Sequence, residues 1–332
     1  MDEALRFLET LMAPYVGLDD RLMLSLRFLA GQGLREKWAR EGSSPDEIGR
    51  ASAKSSRFVL TPGAIRAAAG FAVRQGTAGW NVYAGVLPRI DGERSKRGVM
   101  MAGWLWSEID GQSAGTDGAM AILESAMGRG LMRPTMLVRS GGGLHLYWRL
   151  TEPTLILGEN LDLFERTLRR LAVAVGGVEW YGCQLRIVDV SRPFADPTCC
   201  EAARILRVPG TVNWKRERPV ELGWIEAGDV LSFAAWRGRL PGMPAPAERQ
   251  GRGEGFSEGG LPARTVERIA CPAAKGQRHA ERVAIAVSAA RSGFDEEAIR
   301  ILLDTHARQC GSPGHVFKTN EQLANWAANH AR

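Results

Sequence analysis

Between about residues 60 and 225, strand-like and helical runs follow one another, and this alternation limits the fold more than any other feature of the chain. Thr61-Pro62 is a helix start, with Thr as cap and Pro in the first turn, and it opens an Ala-rich segment to Val73. Trp80 to Val86 reads as a strand. A charged, glycine-containing loop, Asp91 to Gly98, leads to a second strand, Ala102 to Asp110. Helix is predicted over Gly115 to Gly130, strands over Thr135 to Arg139 and Leu144 to Leu150, and a turn between them at Ser140 to Gly143. Asn160 to Val175 repeats Leu161, Phe164, Leu168, Leu171 and Val175 at helical spacing. The pattern predicts an α+β (or α/β) core.

The flanks differ. Residues 2–40 are predicted helical, because Leu5, Phe7, Leu8 and Leu11 recur at helical spacing and Leu22, Leu24, Leu26 and Phe28 extend the apolar pattern. Residues 242–262 are rich in Gly, Pro and charge and read as a linker. Thr265 to Arg332 reads as a small helical module. The predicted organisation is a helical extension (1–58) packed on a core (59–241), a linker (242–262) and an all-α domain (263–332).

No apolar run approaches the roughly 20 residues that span a bilayer, and the acidic, amphipathic N-terminus is unlike a signal peptide. Cys183, Cys199, Cys200, Cys271 and Cys310 lack CxxC spacing and a secreted disulfide pattern, which predicts reduced thiols and a cytoplasmic protein. Adjacent cysteines seldom both ligate one tetrahedral ion, so zinc is not expected. The formal net charge is +6, from 43 Lys+Arg against 37 Asp+Glu. That balance is compatible with a phosphate-rich partner but is weak evidence alone.

Three runs carry candidate chemistry. Glu108 and Asp110 sit two apart on a predicted strand, so their carboxylates share a face at about 7 Å by strand rise. Such a pair is costly without a cation between its members. In isolation it is more often a solvated strand end. Ser140-Gly141-Gly142-Gly143-Leu144-His145-Leu146-Tyr147-Trp148 joins a flexible glycine turn to a strand. Glycines let the backbone approach a ligand, and successive N–H groups can cup an anion. His145 could donate to a phosphate. No G-K-[ST] follows, so it is not a Walker A loop, and a glycine turn alone is more often a plain hairpin. Finally, Ala195-Asp196-Pro197 precedes an R-x-x-R-x-P-G-T-x-N-x-K run from Arg204 to Lys215. Arg204 and Arg207, three apart, would share a face on a helical turn. The plainer alternative is a surface helix and a tight turn with scattered charge.

In this order the three runs resemble the archaeo-eukaryotic primase superfamily, and more narrowly the RepB-like primases and primase-polymerases of plasmids, phages and integrated elements. The resemblance covers roughly residues 60–225. It implies a catalytic core with an RRM-like sheet and a nucleotidyltransferase that makes or extends primers on single-stranded DNA, in replication or damage tolerance. Glu108, Asp110 and Asp196 would be the catalytic, metal-binding acids, holding Mg²⁺ or Mn²⁺, with two metals in the usual arrangement. Asp189 and Glu201 compete with Asp196, because Val178 to Phe194 looks like an insertion. Glu108 stands where the family often has Asp. Ser140, Gly142, Gly143, His145, Arg204, Arg207 and Lys215 would bind the nucleotide. Asn213, Lys215, Lys275 and Arg278 would bind nucleic acid, and Trp80 is a candidate for stacking on a template base. The helical tail from Lys275-Gly276-Gln277-Arg278-His279 resembles the small domain that assists initiation in such primases. The implied partners are a single-stranded DNA template and dNTPs or rNTPs. No P-loop is present, which leaves room for a separate replicative helicase. A catalytically silent replication initiator that only grips DNA is the main alternative; a metal-dependent nuclease or relaxase-like enzyme is another, although the five histidines do not cluster.

Overall fold

The computed structural model describes residues 1–90, 95–181, 184–226, 230–243, 261–270, 278–310 and 317–330. The chain divides into two compact units, Met1–Pro246 and Ala247–Arg332. In chain order the first unit contains α1 (Asp2–Met12), β1 (Leu22–Ala30), α2 (Gln32–Arg40), α3 (Pro45–Ala51), β2 (Ala53–Val59), α4 (Pro62–Thr77), β3 (Trp80–Gly85), β4 (Arg89–Ile90) and β5 (Met101–Asp110). Then follow α5 (Gly115–Gly128), β6 (Met136–Arg139), β7 (Gly143–Leu155), α6 (Glu159–Val175), β8 (Val178–Tyr181), β9 (Gln184–Ile187), β10 (Phe194–Ala195), β11 (Ile205–Arg207), β12 (Thr211–Asn213), β13 (Arg218–Ile225) and α7 (Phe233–Arg239). The protein is α+β.

Among the described residues, two larger sheets organise this unit. One runs β11-β3-β1-β2, with β4 also on β1, and the other runs β10-β5-β7-β6-β13-β12. A single apolar core joins them. Helix α1 is wedged into it: Phe7 meets Tyr147 edge-on at 5.8 Å, and the Leu11 carbonyl accepts a 2.9 Å hydrogen bond from Trp104 Nε1. The Tyr15 hydroxyl accepts from the Gly103 N–H at 2.6 Å. Helix α4 starts as its sequence predicts, with Thr61 Oγ1 accepting from Ala64 N–H.

The N-terminal segment corrects the all-helical expectation. Residues 22–30 form β1, an interior strand paired antiparallel with β2 and β3. Leu22, Leu24, Leu26, Phe28 and Ala30 are buried while the residues between them are half-buried, which is the two-residue period of a strand. Residues 1–58 are therefore part of the core rather than a helical extension laid on it. The run from Arg204 is also corrected: residues 205–207 pair with β3 as a strand, so Arg204 and Arg207 no longer share a helical face. The segment read as an insertion holds the antiparallel strands β8 and β9. Trp80 is buried against Trp38 with the Lys54 ammonium 4.2 Å above its ring, so it packs the core and offers no open face to a base.

The second unit contains α8 (Ala263–Ala270), α9 (Arg278–Arg291), α10 (Glu296–Gln309) and α11 (Phe317–His330). They enclose their own core, built on Leu261, Ile285, Ala289, Ile299, Leu303 and Ala327. Inside it, Asn320 Nδ2 donates to the Asp304 carboxylate at 2.9 Å. Most of the sequence-predicted linker, residues 244–260, lies outside the described residues, as do Lys275, Cys183 and Cys271. Arg278 opens α9. No described helix is long and apolar enough to cross a membrane.

Candidate active site

Strand β5 places the site. Its register with β7 sets Glu108 directly opposite His145 and Asp110 opposite Gly143. On its other edge β10 pairs Phe194 with Asp110 and Ala195 with Ile109. One step on, the Asp196 N–H donates to the Glu108 carbonyl at 2.8 Å. The chain then leaves the sheet in a short 3-10 turn, Pro197–Cys199, capped by Asp196 Oδ1, which accepts from the Thr198 N–H and hydroxyl, each at 2.8 Å. One carboxylate oxygen of Asp196 is thus committed to the turn and the other faces Glu108.

Cys199 completes the cluster. Ligand atoms of Glu108, Asp196 and Cys199 all lie within 4.8 Å of one another. The Cys199 thiol donates to Glu108 Oε2 at 2.9 Å. Burial and the adjoining Glu108 push its pKa well up, so it is a thiol at neutral pH. The Arg204 guanidinium closes the group, with Nη2 2.6 Å from Cys199 Sγ, 3.5 Å from Glu108 Oε2 and 3.7 Å from Asp196 Oδ2. Burial opposes its charge, but Cys199, Glu108, Asp196 and Glu201 together raise its pKa. Sequence reasoning missed Cys199, having weighed it only as a zinc or disulfide residue. The available signal was its position three residues after Asp196, one turn of a tight helix away.

Asp110 falls outside this group. It ends β5, accepts from the Gln112 N–H at 2.9 Å, and lies 3.8 Å from Arg216 Nη2. Glu108 thus belongs to the cluster, while Asp110, two residues on along β5, neighbours Arg216. Asp189, weighed as a rival acid, caps its own loop through Ser191 and pairs with Arg192 at 3.4 Å. Glu201 pairs with Arg204 at 3.7 Å.

His145 is fully buried. Burial, then Arg207 and Arg204, lower its pKa to about 3, so the imidazole is neutral. Its Nε2 stands 3.8 Å from Glu108 Oε1, beyond hydrogen-bond reach. Three buried polar atoms around the acids lack hydrogen-bond partners: His145 Nδ1, the Tyr147 hydroxyl and Arg204 Nε. Buried polar groups are normally satisfied, so these three side chains keep unspent hydrogen-bonding capacity close to Glu108. The hard oxygens of Glu108 and Asp196 suit Mg²⁺ or Mn²⁺, while the sulfur of Cys199 favours softer ions.

The glycine turn lies at the end of the same β5–β7 pair. Gly141 has φ +76°, and a Cβ on Gly143 would stand 2.0 Å from the Ile109 carbonyl oxygen. Only glycine lets the turn lie this close to β5. A Cβ on Gly142 would meet Arg216 Nε at 2.7 Å. Arg216, also missed in the sequence, thus links Asp110 to the turn. Ser140 is buried, and its carbonyl accepts from Asn213 Nδ2 at 2.9 Å. Asn213 is itself buried, which corrects its assignment to nucleic-acid contact: its amide is spent on the turn. Lys215 is exposed beside it. Arg207 donates to Asn81 Oδ1 at 2.7 Å and lies 4.8 Å from the Tyr83 ring centroid.

No family model matches the chain, and no curated protein matches it in sequence. Among solved structures, the chain is similar to primase domains. The AEP domain of the cyanophage S-2L primase-polymerase matches with TM-score 0.47 and 17% identity, over 72% of this chain and 97% of that one. The catalytic domain of primase RepB′, in complex with initiator DNA, matches with TM-score 0.42 and 12% identity, over 71% and 93%. A second RepB′ primase structure matches with TM-score 0.42 and 12% identity, over 99% and 100%.

Proposed function

We propose that the chain is a primase-type nucleotidyltransferase that makes or extends primers on single-stranded DNA. The observation that carries this reading is the convergence of Glu108 and Asp196 on one point of the sheet, opposite a neutral His145 and beside the glycine turn. Carboxylates are a poor surface for phosphates unless a cation lies between them. Held by Glu108 and Asp196, Mg²⁺ or Mn²⁺ would neutralise triphosphate oxygens and lower the barrier for an attacking 3′-oxygen. The rest is done by the chain. The His145 imidazole, with one N–H to give, donates to a phosphate oxygen without adding charge. Arg216 and Lys215 neutralise the triphosphate lying along the glycine turn. Arg204, now against both carboxylates, is displaced from them and turns its fork to a phosphate. The 3′-hydroxyl would give its proton to solvent and bond to the α-phosphorus as the bond from that phosphorus to the α,β-bridging oxygen breaks and pyrophosphate leaves.

One observation favours a second reading. Arg204 already offsets the charge of Glu108 and Asp196, as it would in a replication initiator that binds DNA without chemistry. A primer-extension assay with labelled template, Mg²⁺ or Mn²⁺, and dNTPs or rNTPs separates the two. Extension that disappears in Glu108→Gln supports the enzyme. Tight template binding with no extension by the wild-type chain supports the initiator.

A further inference from the structure

The first sheet has a polar face that the site above does not use. In β1 the buried residues alternate with Met23, Ser25, Arg27 and Leu29. Directly paired residues on neighbouring strands share a face, and the register sets Arg57 opposite Ser25 and Ser55 opposite Arg27. Continuing across the sheet, Arg27 pairs with Tyr83 and Tyr83 with Arg207. Two serines and two arginines from strands separated by two helices thus form a compact patch.

The patch is concave. A cavity of about 410 Å³ is lined by Ser25, Arg27, Ser55, Arg57, Arg89 and Arg204, with Glu201 as its acid. Arg89 is buried and fixes one wall by donating to the Ala203 carbonyl at 2.6 Å. Arg204 is the wall shared with the acid cluster, 3.5 Å from Glu108. Four arginines and one glutamate line it, and Arg204 among them is already held against Glu108, Asp196 and Glu201. Guanidinium forks and serine hydroxyls are the donors that fit phosphate oxygens.

We propose that this cleft is a phosphate-binding site, separate from the glycine turn, that grips the backbone of the single strand on which the acid cluster acts. The choice of phosphate over other anions rests on the nucleotidyl-transfer reading. A nucleotide's triphosphate offers the same chemistry, and the test separates the two sources.

The full chain and Arg27→Gln/Arg57→Gln are titrated with a fluorescein-labelled single-stranded oligonucleotide over a range of salt, without nucleotide or divalent ion. Each lost phosphate contact on a single strand flattens the slope of log K against log salt by about 0.7, so the double variant loses about 1.4. Arg50→Gln/Arg66→Gln removes the same charge from exposed helical positions and keeps the slope. Arg27→Lys/Arg57→Lys restores most of it. Thermal melting checks that both sheets are intact in every variant. In a parallel arm, dNTP binding is measured by calorimetry with Mn²⁺. A tenfold loss there with an unchanged oligonucleotide slope keeps the phosphate site and makes the nucleotide its ligand. No change in either arm overturns the proposal, as does an equal slope change in the Arg50/Arg66 control. Because the oligonucleotide arm needs no catalysis, a wild-type chain that extends no primer sinks the nucleotidyl-transfer reading and leaves the cleft to be judged by its own slope.

Discussion

The Asp196 N–H donates to the Glu108 carbonyl at 2.8 Å, and this one backbone bond seats two carboxylates side by side from distant parts of the chain. It continues the β10–β5 pairing by one residue. The acids are thus positioned by the sheet, and side-chain substitutions leave their scaffold in place.

Glu108→Gln and Asp196→Asn are therefore expected to cut primer extension by at least 10²–10³-fold, the scale for losing a group that stabilises transition-state charge. Melting temperature should stay within a few degrees. Asp110→Asn, outside the cluster and partly neutralised by Arg216, should cost at least tenfold less. Single-turnover extension rates on one labelled template check the ranking, and an equal loss at all three positions would return Asp110 to the metal site.

The glycines of the turn should differ in tolerance. Gly143→Ala drives a Cβ into the backbone oxygen of Ile109, so β5 or β7 must shift. A loss of about 2–4 kcal/mol is expected. Gly142→Ala meets only the movable Arg216 side chain and should cost less than about 1 kcal/mol. Urea denaturation of both variants measures the difference.

His145 ties stability to pH. Its folded pKa, lowered to about 3, lies below the ordinary value near 6.5. Between these values the unfolded chain binds more protons, so stability is lost as pH falls from about 6.5 toward 3. The slope contributed by this one group approaches 1.4 kcal/mol per pH unit. Denaturation midpoints at pH 7, 6, 5 and 4 should fall less steeply in His145→Gln. Parallel profiles would mean that the imidazole is hydrated in the fold.

Cys199 should set metal preference. Cys199→Ser is expected to weaken Cd²⁺ binding at least tenfold while changing Mn²⁺ binding less than threefold, because sulfur favours soft ions and carboxylates hold hard ones. Sulfur-to-cadmium absorbance, read in both proteins, reports the contact directly. Its absence in the wild-type chain would show that the thiol only braces Glu108.

Asn213→Ala leaves the Ser140 carbonyl without its 2.9 Å donor inside the protein. Stability should fall by about 1–3 kcal/mol, and KM for the nucleotide should rise. Oligonucleotide affinity measured without nucleotide should not change. A selective loss of that affinity would restore Asn213 to the strand-binding surface.

Much of this arrangement was legible in the sequence. Strands β5 and β7 announced themselves because apolar residues run on both sides of Glu108 and His145, and the glycine turn fixed where β7 starts. Strand β1 was misread because Leu22, Leu24, Leu26 and Phe28 follow a genuine helix. Their two-residue period prevails through pairing with β2 and β3, which lie far along the chain. The same distance hid the arginine cleft, since Ser25 meets Arg57 only after two intervening helices have folded aside. Arg204 and Arg207 were visible as cations, but their roles diverge because a strand, not a helix, carries them.

Helix α1 has a consequence for how the protein is made. Its partners Trp104 and Tyr147 emerge from the ribosome long after Phe7 and Leu11. Until they do, α1 lacks the aromatic partners that close its apolar face. Contacts this distant in sequence make closure of a core slow and expose apolar surface meanwhile. Nascent chains stalled before β7 should therefore be held by chaperones and cut readily by protease, whereas chains stalled past β13 should already resist.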